Sequence, residues 1–149
     1  MTAHDKLWAV VVNSERARIL RYPEAHIHGP EPEILLRSPN ANLHAAISVL
    51  SDPNATMERA MQSAVDYAAR AEGEDMRAFA DLIRTTLAAP LRHGDFRTLA
   101  IFASLRMLER LKASFDPDLR AAIVHEEVGN IAHISEPTLR ERVRLALAQ

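Results

Sequence analysis

Leu7-Trp8-Ala9-Val10-Val11-Val12 and Thr98-Leu99-Ala100-Ile101-Phe102-Ala103 are the two stretches that decide the fold. Both are uncharged runs of strand length, rich in β-branched and aromatic side chains, without alternation between polar and apolar positions. Such a run is satisfied as a strand only when both of its faces are covered. The pair therefore belongs side by side in the middle of one sheet, with helices on either side. Neither run carries a carboxylate.

The chain on either side of the first run reads as antiparallel structure. Asn13-Ser14-Glu15-Arg16 is turn-like, and Ala17-Arg18-Ile19-Leu20-Arg21-Tyr22 follows closely enough to form a hairpin with Leu7 to Val12. Pro23, Gly29, Pro30 and Pro32 then break the chain. Glu33 to Arg37 is a third, short strand whose prolines and charged ends suit a sheet edge. Ser38 to Ser51 shows no clean period and is expected to be an irregular connection.

Helices and two further strands occupy the remainder. Asp52 before Pro53 has the form of an N-cap followed by proline at the first helical position. Met57, Ala60, Met61, Ala64, Ala68 and Ala71 recur at helical spacing, and Met76, Phe79, Leu82, Ile83 and Leu87 continue nearly in phase across Gly73, up to Pro90. The spacing fits one long helix or two broken near Gly73, with the apolar face packed on the sheet by default. Arg92-His93-Gly94-Asp95 is a turn. Ser104 caps a helix with Leu105, Leu108, Leu111 and Phe115 on one side, and Asp116-Pro117 stops it. Leu119 to Ala122 adds a turn, Ile123 to Val128 is a strand, and Ser135 caps a last helix with Leu139, Val143 and Leu147 on its buried face.

Three strands, helix, strand, helix, strand, helix is thus the predicted order, within one α/β domain spanning 1–149. It implies a five-stranded mixed sheet with helices on both faces: an antiparallel meander plus a right-handed parallel crossover, the element order of ribonuclease H-like folds.

Composition narrows the function classes. The chain has no cysteine, which removes disulfides, thiolate metal sites and cysteine nucleophiles. The longest apolar stretch, Leu7 to Val12, falls far short of the roughly 20 residues that span a bilayer, and Met-Thr-Ala-His-Asp has no signal-peptide character, so a cytoplasmic location without membrane insertion is expected. A net charge of −2 gives no global pull toward nucleic acid. Only Lys6 and Lys112 are lysines among the 18 basic residues, an arginine bias that we ascribe to a GC-rich coding sequence.

The opening Trp8 to Val12 followed by Ala17-Arg18-Ile19, the Met76-Arg77-Ala78-Phe79-Ala80 helix, Leu99 to Ala103 with Leu105 to Leu111 after it, and the segment Val124-His125-Glu126-Glu127-Val128-Gly129-Asn130-Ile131-Ala132-His133-Ile134 resemble the bacterial host-attachment protein family. That family is similar to the middle domain of archaeal and eukaryotic peptide-chain release factors, so the resemblance implies a translation-machinery-type α/β domain. The release-factor domain acts through a Gly-Gly-Gln loop before its long helix. The corresponding residues here, Ser38 to Asp52, contain neither glycine nor glutamine, which disfavours peptidyl-tRNA hydrolysis and leaves ribosome association without a motif.

A two-metal nuclease needs carboxylates on the two central strands, and Asp5 and Glu15 lie outside them. His26 and His28 form a His-x-His pair that could take a metal with His44 or Glu31, yet alternate residues of an extended segment point apart, and no metal is assigned. Ser14 and Ser104 follow buried strands without a Gly-x-Ser-x-Gly elbow, and the four glycines form no phosphate loop. His125 and His133, near the exit of the fifth strand, are candidate functional histidines.

A ligand site is best placed at the carboxyl ends of the two central strands, lined by Asn13, Ser14, Arg16, Ser104 and Arg106, where an anion would meet a helix N-terminus. The expected function is a non-enzymatic regulatory or interaction domain that contacts protein or RNA, the ribosome included, with no cofactor. A hydrolase acting on RNA or a phosphoester is the alternative from the enzyme class, and a small-anion or nucleotide binding domain is the third. The Met57, Ala60, Met61 and Ala64 face also offers a homodimer contact.

Overall fold

The protein, described by a computed structural model over residues 6–21 and 33–148, is organised around β1 (Leu7–Val12), every residue of which is buried. Antiparallel to it lies β2 (Arg16–Arg21), and antiparallel to β2 lies β3 (Ile34–Arg37). On its other side β4 (Thr98–Ala103) runs parallel, with Val10 beside Ile101, and β5 (Ile123–Val128) runs parallel to β4. The sheet order is β3-β2-β1-β4-β5. The two uncharged runs are thus neighbours in the middle of a mixed sheet.

Alternation along β1 feeds two cores. Trp8, Val10 and Val12 point to one face, with Ile19, Leu99 and Ile101, where α3 (Glu72–His93), α4 (Leu105–Ser114) and α5 (Pro117–Ala122) bring Phe79, Ile83, Leu87, Met107, Leu111 and Leu119. Leu7, Ala9 and Val11 point to the other, with Leu20, Ala100 and Phe102, against Leu139, Val143 and Ala146 of α6 (Glu136–Leu147). A strand covered on both sides has no position left for a polar residue, hence the unbroken apolar run. Arg18 is the buried exception on the α6 side. Its Nε lies 2.9 Å from Glu33 Oε2, and its Nη1 donates to the carbonyls of Ala132, at 3.0 Å, and Ile134, which fastens the segment before α6 to β2.

Four local expectations are corrected. Residues 38–51 are not an irregular connection but contain α1 (Ala41–Ser51). No local side chain caps this helix. Instead the carboxylate of Asp75, one turn into α3 and 4% exposed, accepts from the backbone amides of Asn42 and Leu43, each at 3.0 Å. A cap supplied from more than thirty residues away leaves no trace in the nearby sequence. Second, Asp52-Pro53 does not open the next helix. Asp52 ends α1 and its Oδ1 accepts from Asn54 N–H, while Thr56 Oγ1 takes the Arg59 amide and caps α2 (Met57–Asp66).

Third, Pro90 does not end the long helix. Proline removes only its own N–H and crowds the carbonyl four residues back, so the last turn continues to His93. The stop is Gly94, at φ 78°, where Gly94 N–H donates to the Leu91 carbonyl at 3.1 Å and Asp95 N–H to the Pro90 carbonyl at 2.9 Å, a Schellman pair. A π-helical turn at Tyr67–Ala71 joins α2 to α3, so helical structure is continuous across Gly73. Fourth, the Met57 face of α2 does not pack on the sheet. No residue of α1 or α2 is buried, and these helices form an arm at the start of α3. The hydroxyl of Ser135, expected to cap α6, lies 3.1 Å from Thr138 Oγ1, and the Ser135 carbonyl accepts the Leu139 amide.

Candidate functional site

The parallel pairing of β1 and β4 brings Asn13 and Ser104 to one rim of the sheet, as the sequence predicts. Their side-chain oxygens are committed to the backbone there. Asn13 Oδ1 accepts from the amides of Glu15 at 2.9 Å and Arg16 at 2.8 Å and so shapes the β1-β2 turn. Ser104 Oγ accepts from Met107 N–H at 3.3 Å as the cap of α4. Ser14 is exposed beside them. Arg106 turns away toward α3, its Nη1 3.5 Å from Glu72 Oε1. Arg16 is different: strand register sets it opposite Arg37 of β3, and its buried Nε makes no hydrogen bond.

His125 and His133 are not brought together by any hydrogen bond or ion pair. His125 stands in β5 with its ring tilted against Phe102, centroids 5.5 Å apart, and its Nε2 3.7 Å from Glu127 Oε1. Arg142 of α6 holds the other oxygen of Glu127 at 2.7 Å. His133 is exposed in the segment before α6. His44 is exposed on α1, while His26, His28 and Glu31 lie outside the described residues. Among the described residues no group of three or more His, Asp or Glu side chains is arranged to hold a metal ion. No helix there is long and apolar enough to cross a membrane.

Concave surface occurs elsewhere. A cavity of about 480 Å³ lies between the end of α3 and α5, where Arg92, Arg97, Asp116 and Asp118 surround Leu91 and Leu119. A smaller cleft, about 260 Å³, separates α1 from the helix that follows and is lined by Asn42, Val49, Ser63, Tyr67 and Arg70 among others. The Tyr67 hydroxyl is held above the ordinary phenol pKa, first by burial and then by the carboxylates of Asp75 and Glu72.

The arm carries the most unusual surface. Met57, Met61 and Val65 follow one another at helical spacing on α2 and are 77%, 62% and 59% exposed. With Glu58 and Gln62 they line a shallow apolar trough. Ile47 and Leu50 of α1 are exposed as well. The apolar period of α2 is plain in the sequence; which way that face points is not, because the default for an amphipathic helix is to turn it inward.

Comparison with known proteins gives the chain its relations. No curated protein matches it. A family model described as a protein required for attachment to host cells matches residues 8–143, from the start of β1 into the last helix. A match over that much of the sheet and its covering helices shows membership: the chain belongs to the host-attachment family.

Proposed function

We propose that this domain is a non-enzymatic interaction module, that the Met57, Met61 and Val65 face of α2 docks a protein partner, and that a role in attachment to host cells runs through that partner. The observation that carries the reading is the exposure of this row on a helix whose apolar period is otherwise that of a core element. Exposed apolar rows of this kind mark interaction surfaces, and the unbranched thioether of methionine adapts to varied partners. The charged side chain on the trough is Glu58, which repels RNA and suits a protein groove with basic flanks. The resemblance to the release-factor middle domain adds a ribosomal version, in which the partner is a ribosomal protein.

Affinity capture from the native host tests this reading. The tagged chain is expected to retain a discrete protein after ribonuclease treatment, and Met61→Glu to lose it. Equal capture by both chains, or capture abolished by ribonuclease, overturns it.

A second reading draws on the Arg16-Arg37 register. Like charges directly opposite on neighbouring strands are unfavourable unless an anion lies between them. Phosphate is then expected to raise the melting temperature of the wild type and not of Arg16→Gln. Equal responses contradict this second reading.

A further inference from the structure

β5 is the free edge of the sheet, and among the described residues no strand pairs with its outer side. An open edge presents unpaired backbone N–H and C=O groups to whatever strand can match it. Two features make this edge unusual. Val124 and Val128 are 56% and 58% exposed and lie either side of Glu126 on a six-residue strand whose register against β4 shifts between Ile123 and His125. In the stretch Val124-His125-Glu126-Glu127-Val128 the two valines also stand symmetrically about Glu126.

Antiparallel pairing of β5 with itself, centred on Glu126, sets Val124 opposite the partner's Val128 and His125 opposite the partner's Glu127, each pair occurring twice. Apolar pairs directly across an antiparallel ladder stabilise it. In this register Glu126 faces its own copy. Lys112 Nζ of α4 lies 3.0 Å from Glu126 Oε1, so each copy brings a cation to the centre and offsets the repulsion. On the opposite side of the strand Glu127 is already fixed by Arg142, and His125 by its contact with Phe102, so both are oriented before a second strand arrives.

We infer that a second copy of this chain adds to the β5 edge, antiparallel about a two-fold axis at Glu126, joining two five-stranded sheets into one. The interface uses neither α2 nor the strand-end rim, so its fate is independent of the function proposed above.

The absence of cysteine makes the register testable with single substitutions in the full chain. In this pairing the two Glu126 Cα atoms lie roughly 4.5–5.5 Å apart, within disulfide range. Val124 is separated from its own copy by four residues along the strands, roughly 13 Å. Mild oxidation is expected to convert Glu126→Cys to a covalent dimer and leave Val124→Cys monomeric, while an equimolar mixture of Val124→Cys and Val128→Cys gives the mixed dimer. Sedimentation of the wild type is expected to show a dimer that grows with concentration and is lost in the Val124→Lys, Val128→Lys double variant. Both valines are exposed, so that variant keeps its fold, which far-UV circular dichroism verifies. A wild type that stays monomeric up to millimolar concentration overturns the inference. So does cross-linking of Val124→Cys alone as readily as Glu126→Cys, or a dimer dissolved by Met61→Glu and untouched by the lysines.

Discussion

The central strands and the α1-α2 arm are built on opposite terms. In β1 and β4 almost every side chain is buried, and each element is specified by what covers it from two sides. In α1 and α2 no side chain is buried, and each helix is held at its end: α1 by the carboxylate of Asp75, α2 by Thr56 and the π-helical turn into α3. The sheet is therefore stabilised by apolar burial spread over many residues, and the arm by a few hydrogen bonds at identifiable points. A region of the second kind can turn an apolar face outward without loss of the fold. The contrast separates a scaffold from the surface it presents.

The largest effect that can test this contrast lies in the sheet. Ile101→Ala removes a fully buried side chain between β4 and the α3-α4 layer and is expected to lower unfolding stability by about 2–5 kcal/mol in a urea titration. A loss below about 1 kcal/mol would mean that β4 is not the centre of the core.

Next is the clamp on the arm. Asp75→Ala leaves the Asn42 and Leu43 amides without their acceptor and is expected to cost about 1–2 kcal/mol, felt locally. Hydrogen exchange is expected to accelerate across α1 while β1 and β4 keep their protection. Uniform acceleration would show that the arm and the sheet unfold as one unit.

These two sites also show why the sheet is legible in the sequence and the arm is not. Leu7 to Val12 and Thr98 to Ala103 announce their place because burial on both faces demands a composition that little else demands. Residues 38–51 read as an irregular connection because the helix within them has no local cap, its first amides being held by Asp75. Asp52-Pro53 has a cap-like sequence, but Thr56 holds the position, and Pro90 lies inside the last turn while Gly94, in the left-handed conformation, ends the helix. At the candidate site, the chain placed Asn13 and Ser104 on one rim by pairing β1 with β4. It gave no sign that Arg106 is drawn to Glu72, since that contact joins elements far apart in sequence. The row of Met57, Met61 and Val65 was visible as a period; only packing shows that it points outward.

A smaller effect comes from Tyr67 at the junction of the two regions. Its folded-state pKa is raised above the unfolded value of about 10, so the neutral phenol supports the fold fully below that value and its contribution is lost as pH rises through the folded-state pKa. Tyr67→Phe is expected to flatten this alkaline part of the stability profile measured by chemical denaturation. An unchanged profile would contradict the burial assigned to the cleft. Smallest of all is Met61→Glu, expected to shift unfolding stability by no more than about 0.5 kcal/mol, because the side chain it replaces is largely exposed.

The most direct measurement is solvent paramagnetic broadening of the methionine methyl signals by NMR. Met107 is buried and Met76 packs against the core, so both serve as protected references. In the isolated chain the methyls of Met57 and Met61 are expected to broaden strongly, and to become protected when native host extract is added. Protection of both methyls in the isolated chain, or full exposure with and without the extract, would contradict the claim that α2 holds its apolar face open for a protein partner.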